Sequence, residues 1–175
     1  MDTFEKFLTE ASLSRVWQHV SNPDIAVGVI TAFRGTYDLQ TNKQRNAQLA
    51  SEVRAAGYGF FIVQGSYVEN KGTPDEKRVK EDSLFIVGNP KDGGRLKHLL
   101  TGLMKKYDQE AVLYKAANAK DATLLNADGS SFSVGEFHPN RVGDFMTQLV
   151  GRPGSFVFEG VEEPGNWLSR WARSK

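Results

Sequence analysis

Four consecutive apolar residues, Phe60, Phe61, Ile62 and Val63, place the strongest constraint on what this chain can fold into. A strand turns successive side chains to opposite faces, so a run that is apolar on both alternations needs cover on both sides. Gly65 follows, where a bulge or a close backbone approach is expected. A second strand is predicted over Glu81 to Asn89, with Phe85, Ile86 and Val87 at its centre. The charged stretch Asn70 to Lys80, with Gly72 and Pro74, reads as the hairpin connection between them, and its Lys71, Lys77, Arg78 and Lys80 as a solvated basic patch.

Before this pair the pattern is helical. Leu49, Ala50, Val53 and Ala56 form a narrow apolar stripe, Thr41 or Asn42 can serve as N-cap, and Gly57 stands where a left-handed C-terminal residue is wanted. Extending the stripe backwards reaches Asn46 and Asn42, with Arg45 one turn before Leu49. Buried amides and guanidinium groups are costly without partners, so these three need either a structural hydrogen-bond network or a ligand. On period-2 alternation Glu69 shares a face with Phe61 and Val63, as Glu81 does with Ser83 and Phe85. A hairpin turn starting at Asn70 would bring Glu69 and Glu81 together at its loop end, either to act on a ligand or as solvated strand ends. Arg34 follows the strand Ile25 to Phe33, at the edge where ligands gather in open α/β sheets. The candidate ligand site is therefore Arg34, Asn42, Arg45, Asn46, Glu69, Glu81 and Ser83.

At 175 residues the chain is long enough for one domain with a sizeable core. A net charge of +1 gives no field for non-specific nucleic-acid binding, and nothing points to sequence-specific nucleic-acid contact. Zero cysteines exclude disulfides and thiolate metal sites. No apolar run reaches the length of a membrane span. His98 falls on the polar face of a helix capped by Asp92 and carrying Leu96, Leu99, Leu100, Leu103, Met104 and Tyr107. His19 reads as surface, and His138 has no second ligand at metal spacing. Gly93 and Gly94 lack the spacing of a phosphate-binding loop and read as a turn. Ala111 to Lys115 reads as a strand and Ala122 to Val134 as a hairpin around Asp128-Gly129. A helix is predicted from Asn140, with Val142, Phe145, Met146 and Leu149 inward and Gly151 closing it. A last strand covers Ser155 to Glu159, and a terminal helix carries Trp167, Leu168 and Trp171. The expected class is α/β or α+β, a single domain with a mixed sheet of about six strands flanked by roughly four or five helices. No metal site is expected, no cofactor can be named, and no nucleophile triad or dinucleotide fingerprint is present, so enzymatic activity is left open.

Two resemblances add to this. Residues 1–10 place Phe4, Phe7 and Leu8 in an amphipathic, acidic lead-in to Leu8-Thr9-Glu10, with Ala11 after it. This resembles the capsid-targeting sequence of internal head proteins of T-even-type phages, which a prohead protease cuts after a Leu-x-Glu triplet. It implies a cleavable segment 1–10 and a domain 11–175, with Leu8, Glu10 and Ala11 as the processing site. Its removal would delete three acids and one base and move the net charge from +1 to +3. Residues 25–89 are also similar to a bacterial and phage family of unknown function, through Ile30-Thr31-Ala32, Asn42-x-x-Arg45-Asn46 and the acidic-Ser-Leu-Phe strand Asp82 to Phe85. The main expectation is thus an internal head protein with the capsid scaffold and prohead protease as partners, located in the virion interior and then the host cytoplasm. There it would meet a host protein and counter defence. The alternatives are a domain or enzyme binding a small polar, nucleotide-like molecule around Arg45 and Glu81, and a purely structural virion component.

Overall fold

The structure, a computed structural model, describes residues 18–19, 21–69, 74, 77–139, 146–149 and 155–158. The run that is apolar on both faces lies in β2 (Gly59–Glu69), paired antiparallel along its whole length with β3 (Lys77–Val87). The remaining described strands are β1 (Val27–Ile30), β4 (Ala111–Lys115), β5 (Asp121–Asn126), β6 (Ser131–Pro139), β7 (Met146–Leu149) and β8 (Ser155–Phe158). Two helices are described, α1 (Leu39–Ala55) and α2 (Arg95–Lys106). Pairing runs β1-β3-β2-β7-β8-β6-β5-β4, and β4 returns to β1, so the sheet closes into a barrel.

The expected class is therefore met in its α+β form, as a single domain. Every pairing among the described strands is antiparallel, which corrects the expectation of a mixed sheet. Short hairpin connections such as Ala127 to Ser130 account for this, since a parallel neighbour needs a long crossover.

Register separates the two faces of the barrel. Phe61, Phe85, Val29, Leu113 and Leu124 form one continuous row across β2, β3, β1, β4 and β5, on the inner face. The alternate residues Ile30, Leu84, Ile86, Val112, Tyr114 and Leu125 face outward and pack under both helices. There Leu49, Leu96 and Leu100 are all 0% exposed, each contributing about 1.5–3 kcal/mol by burial. The cover demanded by the apolar run is thus partly the barrel itself and partly helix, while Ile62, beyond the helices, stays 39% exposed. α2 lies directly on β1 because Gly28 has no side chain; a Cβ there would sit 2.4 Å from Leu100 Cδ1.

Three local expectations are corrected. The N-cap of α1 is Asp38, whose carboxylate accepts from Thr41 N at 2.7 Å, so the helix starts earlier than a cap at Thr41 or Asn42 would allow. The helix predicted from Asn140 does not extend over Met146–Leu149, which is strand β7 against Val63–Ser66 of β2. A ladder with a distant strand overrides local apolar spacing there. His19 is half-buried, its ring 6.1 Å from that of Phe61, and so is not a free surface residue.

Asp92 does serve α2 as expected, though the cap residue itself is Gly94 in a left-handed conformation. Asp92 Oδ2 accepts from Leu96 N at 2.7 Å, while Oδ1 accepts from Tyr58 Oη at 2.5 Å. Burial, and then that bond to the carboxylate, pushes Tyr58 up to about 12. A phenol that ionises near 10 in the unfolded chain and near 12 in the folded one contributes stability that is complete below pH 10 and lost as pH rises through 12. The melting temperature should fall above about pH 10, and less steeply in Tyr58→Phe. Equal slopes for the two proteins would mean that Tyr58 ionises freely in the folded state.

Candidate functional site

The segment after β1, Thr31 to Tyr37, carries no ladder of its own, so its buried peptide groups must find partners elsewhere. The inward side of α1 supplies them. Asn42 Oδ1 accepts from Arg34 N at 2.8 Å, and its Nδ2 donates to Arg34 O and Tyr37 O. Asn46 Oδ1 accepts from Ala32 N at 2.9 Å, and its Nδ2 donates to Asp82 O at 2.9 Å. Arg45 Nε donates to Ala32 O and Nη2 to Tyr107 O, with its guanidinium between the rings of Tyr37 and Tyr107, 4.8 and 5.6 Å away. Arg34 reaches across to Asp108, pairing with Oδ2 at 2.9 Å and donating to its carbonyl.

Arg34, Asn42, Arg45 and Asn46 are thus brought together as expected, around one loop. The hydrogen bonds described for the two amides and Arg45 go to main-chain carbonyls and amides, which is the structural-network arrangement. Sequence reasoning missed two members. Gln109, 5% exposed, donates from Nε2 to Phe33 O and Tyr107 O; Thr31 Oγ1 donates to Asp82 O at 2.8 Å and accepts from Phe33 N. A polar residue two positions after Tyr107, where the apolar helix repeat stops, was the available signal for Gln109.

The network meets β3 at a defined place. The Asp82 carbonyl, which receives both Asn46 and Thr31, lies between Glu81 and Ser83 in the chain. Glu81 and Ser83 are 4% and 6% exposed and alternate with Phe85, so they stand on the inner face of the barrel in line with the Phe61–Phe85 ring pair. Two bonds on one carbonyl therefore hold the stretch of β3 that presents a carboxylate, a hydroxyl and an aromatic ring to the barrel interior. A buried carboxylate and a pair of aromatic rings spaced along one inner face are complementary to an extended cation of largely apolar shape.

Glu69 does not join Glu81. In the register Glu69 faces Lys77 and Glu81 faces Gly65, so the two acids are four residues apart along the hairpin, about 13 Å. The reason is that β3 begins at Lys77, leaving a shorter connection than Asn70 to Lys80. Leu8, Glu10 and Ala11 lie outside the described residues, as do most of the basic loop, Trp167 and Trp171; for Glu69 and His138 only the backbone is described. Among the described residues no group of three or more His, Cys, Asp or Glu is placed to hold a metal ion, and no helix is long and apolar enough to cross a membrane.

The sequence model of the S-adenosylmethionine lyase family matches residues 28–151, from within β1 to the residues after β7. A solved structure described as a phage SAM lyase in complex with S-methyl-5′-thioadenosine is 17% identical. It covers 65% of this chain and 91% of that chain with a TM-score of 0.33, too slight a likeness to carry fold or function. No curated protein matches the chain. The family match overturns the expectation of an internal head protein: the body of the chain, including the network and Glu81, is that of a family named for an enzyme activity. The capsid scaffold and prohead protease lose their support as partners with it.

Proposed function

The chain belongs to the S-adenosylmethionine lyase family, and on that premise we propose that it is an enzyme that breaks a carbon–sulfur bond of S-adenosylmethionine without using water. The family match over residues 28–151 is the observation that carries this reading. The substrate is a sulfonium, so the electron pair of the breaking bond returns to sulfur and a neutral thioether leaves. When the broken bond is the one to the amino-acid chain, that thioether is 5′-methylthioadenosine. The carbon left behind either closes on the substrate's own carboxylate, giving homoserine lactone, or loses a neighbouring proton, giving an unsaturated amino acid.

Either course asks the same of the protein: hold a cationic amino-acid end, keep it folded over the reacting carbon, and exclude water. Glu81, Ser83 and the Phe61–Phe85 pair offer that combination on the barrel's inner face. Positive charge on sulfur disappears in the transition state, so a carboxylate resting against sulfur would favour the ground state. Glu81 therefore belongs at the α-ammonium or at the carbon developing positive charge. Asn46 acts as a positioning residue, fixing β3 through the Asp82 carbonyl together with Thr31, while Asn42 and Arg45 hold the Thr31–Tyr37 segment and Arg34 ties it to Asp108. An enzyme that consumes S-adenosylmethionine deprives methyltransferases of their donor, which gives the expected action against a host a chemical form.

Incubating the purified protein with S-adenosylmethionine and separating products by liquid chromatography and mass spectrometry tests the reading. Equimolar 5′-methylthioadenosine and homoserine lactone or unsaturated amino acid are expected. Homoserine as the primary product would indicate hydrolysis, and an unchanged substrate would end the proposal.

A further inference from the structure

On the inner face of the barrel, at the end remote from Glu81, stands a charge that the lyase reaction does not use. Lys115, the last residue of β4, is two positions from Leu113 and so shares its inward face. Its register partner is Val27, which pairs in turn with Val87, itself opposite Gly59. Lys115, Val27, Val87 and Gly59 thus form a row across four strands, next to the row that holds Phe61 and Phe85. Val87 is six positions from Glu81, about 20 Å along β3. Lys115 is only 5% exposed. Burial pushes its ammonium below the ordinary lysine range, and among the described residues no carboxylate offsets that. A buried cation without a counter-charge is costly to keep unless a ligand supplies one.

This end of the interior has free space. Val29, Phe61 and Val87 point inward and are half-buried, not buried. Val29 is laddered on both sides and its strand lies beneath α2, so its exposed surface faces the inside of the barrel. A Cβ at Gly59 would meet nothing within 4 Å, which leaves the β2 end of the row open. An eight-stranded barrel has room either for filling side chains or for one small ligand. The walls here are apolar, from Val27, Val29, Phe61, Val87 and Leu113, and Lys115 is the one charge in the two rows. A single ammonium matches a single negative charge, whereas a phosphate dianion would be left half neutralised. We propose that this end of the barrel binds a small monocarboxylate with an apolar body, the carboxylate on Lys115 and the body along Val29 and Phe61. The inference does not depend on the lyase reading.

Titrating the full chain with 3-phenylpropionate, followed by backbone amide NMR shifts, tests it. Saturable shifts at Val29, Gly59, Val87 and Lys115 are expected, with the neutral 3-phenylpropanamide binding more weakly. Lys115→Met, close in length and apolar, should lower affinity for the carboxylate by about one to two orders of magnitude and bring acid and amide level. It should also raise the melting temperature, because it removes a buried charge that nothing compensates. Gly59→Leu fills the free space without touching the charge and should weaken both ligands. No saturable shift, equal affinity of the parent for acid and amide, or parental affinity in both variants would each overturn the proposal. So would a lower melting temperature in Lys115→Met, which would show that the ammonium already has a structural partner.

Discussion

Replacing Asn46 by alanine should lower the stability of the fold by about 2–3 kcal/mol, because the change orphans a buried peptide group and does not merely delete a contact. Asn46 is 7% exposed and makes two bonds of opposite sense: Oδ1 accepts from Ala32 N and Nδ2 donates to Asp82 O. The two ends do not suffer equally. Asp82 O keeps the Thr31 hydroxyl at 2.8 Å, whereas Ala32, itself 0% exposed, has no other described acceptor for its N–H. Against a typical total of about 5–15 kcal/mol the loss is large. In urea it should move the midpoint down by roughly 1 M with the slope unchanged. Asn46→Asp separates the two bonds, since it keeps the acceptor for Ala32 but sets a carboxylate oxygen against the Asp82 carbonyl. It should be at least as damaging as alanine, and less so if the side chain were turned to water.

That the amides matter was legible in the sequence. Asn42 and Asn46 fall in line with Leu49 and Val53, and a helix period alone puts them under cover. Their partners were not legible, because Ala32 and Asp82 are brought to α1 by strands β1 and β3, whose adjacency is a long-range fact. The same division runs through the fold. The strands at Ala111–Lys115 and around Asp128-Gly129, and the buried face of α2, follow from local period and turn chemistry. Closure of the barrel depends on β2 meeting β7, with Val63 paired to Leu149 and Ser66 to Met146, and no local pattern carries that. The spacing of Phe145, Met146 and Leu149 fits a helix turn as well as it fits a strand, so the ladder to β2 decides. The register of the hairpin was hidden for a related reason. A charged loop does not show where pairing resumes, and a four-residue error there put Glu69 beside Glu81 when it stands opposite Lys77.

Glu81→Gln should lower kcat/KM for S-adenosylmethionine cleavage by two to three orders of magnitude, about 3–4 kcal/mol of transition-state stabilisation, while leaving the melting temperature close to that of the parent. The substitution keeps the shape and removes one charge from a 4% exposed position on the inner face. A carboxylate that only held the fold would show the opposite pattern, with lost stability and unchanged turnover of the folded fraction. Arg45→Ala supplies that contrast within the same protein. Its hydrogen bonds run to Ala32 O and Tyr107 O, so its removal should lower stability first and reduce activity only as far as the Thr31–Tyr37 segment and the Asp82 carbonyl shift. The pair of variants therefore sorts the polar cluster by function: a charge effect at Glu81 read in kcat/KM at constant stability, and a support effect at Arg45 read in unfolding. If Glu81→Gln turns over S-adenosylmethionine at the parental rate, the barrel interior is not where the bond is broken, whatever the family match says about the reaction.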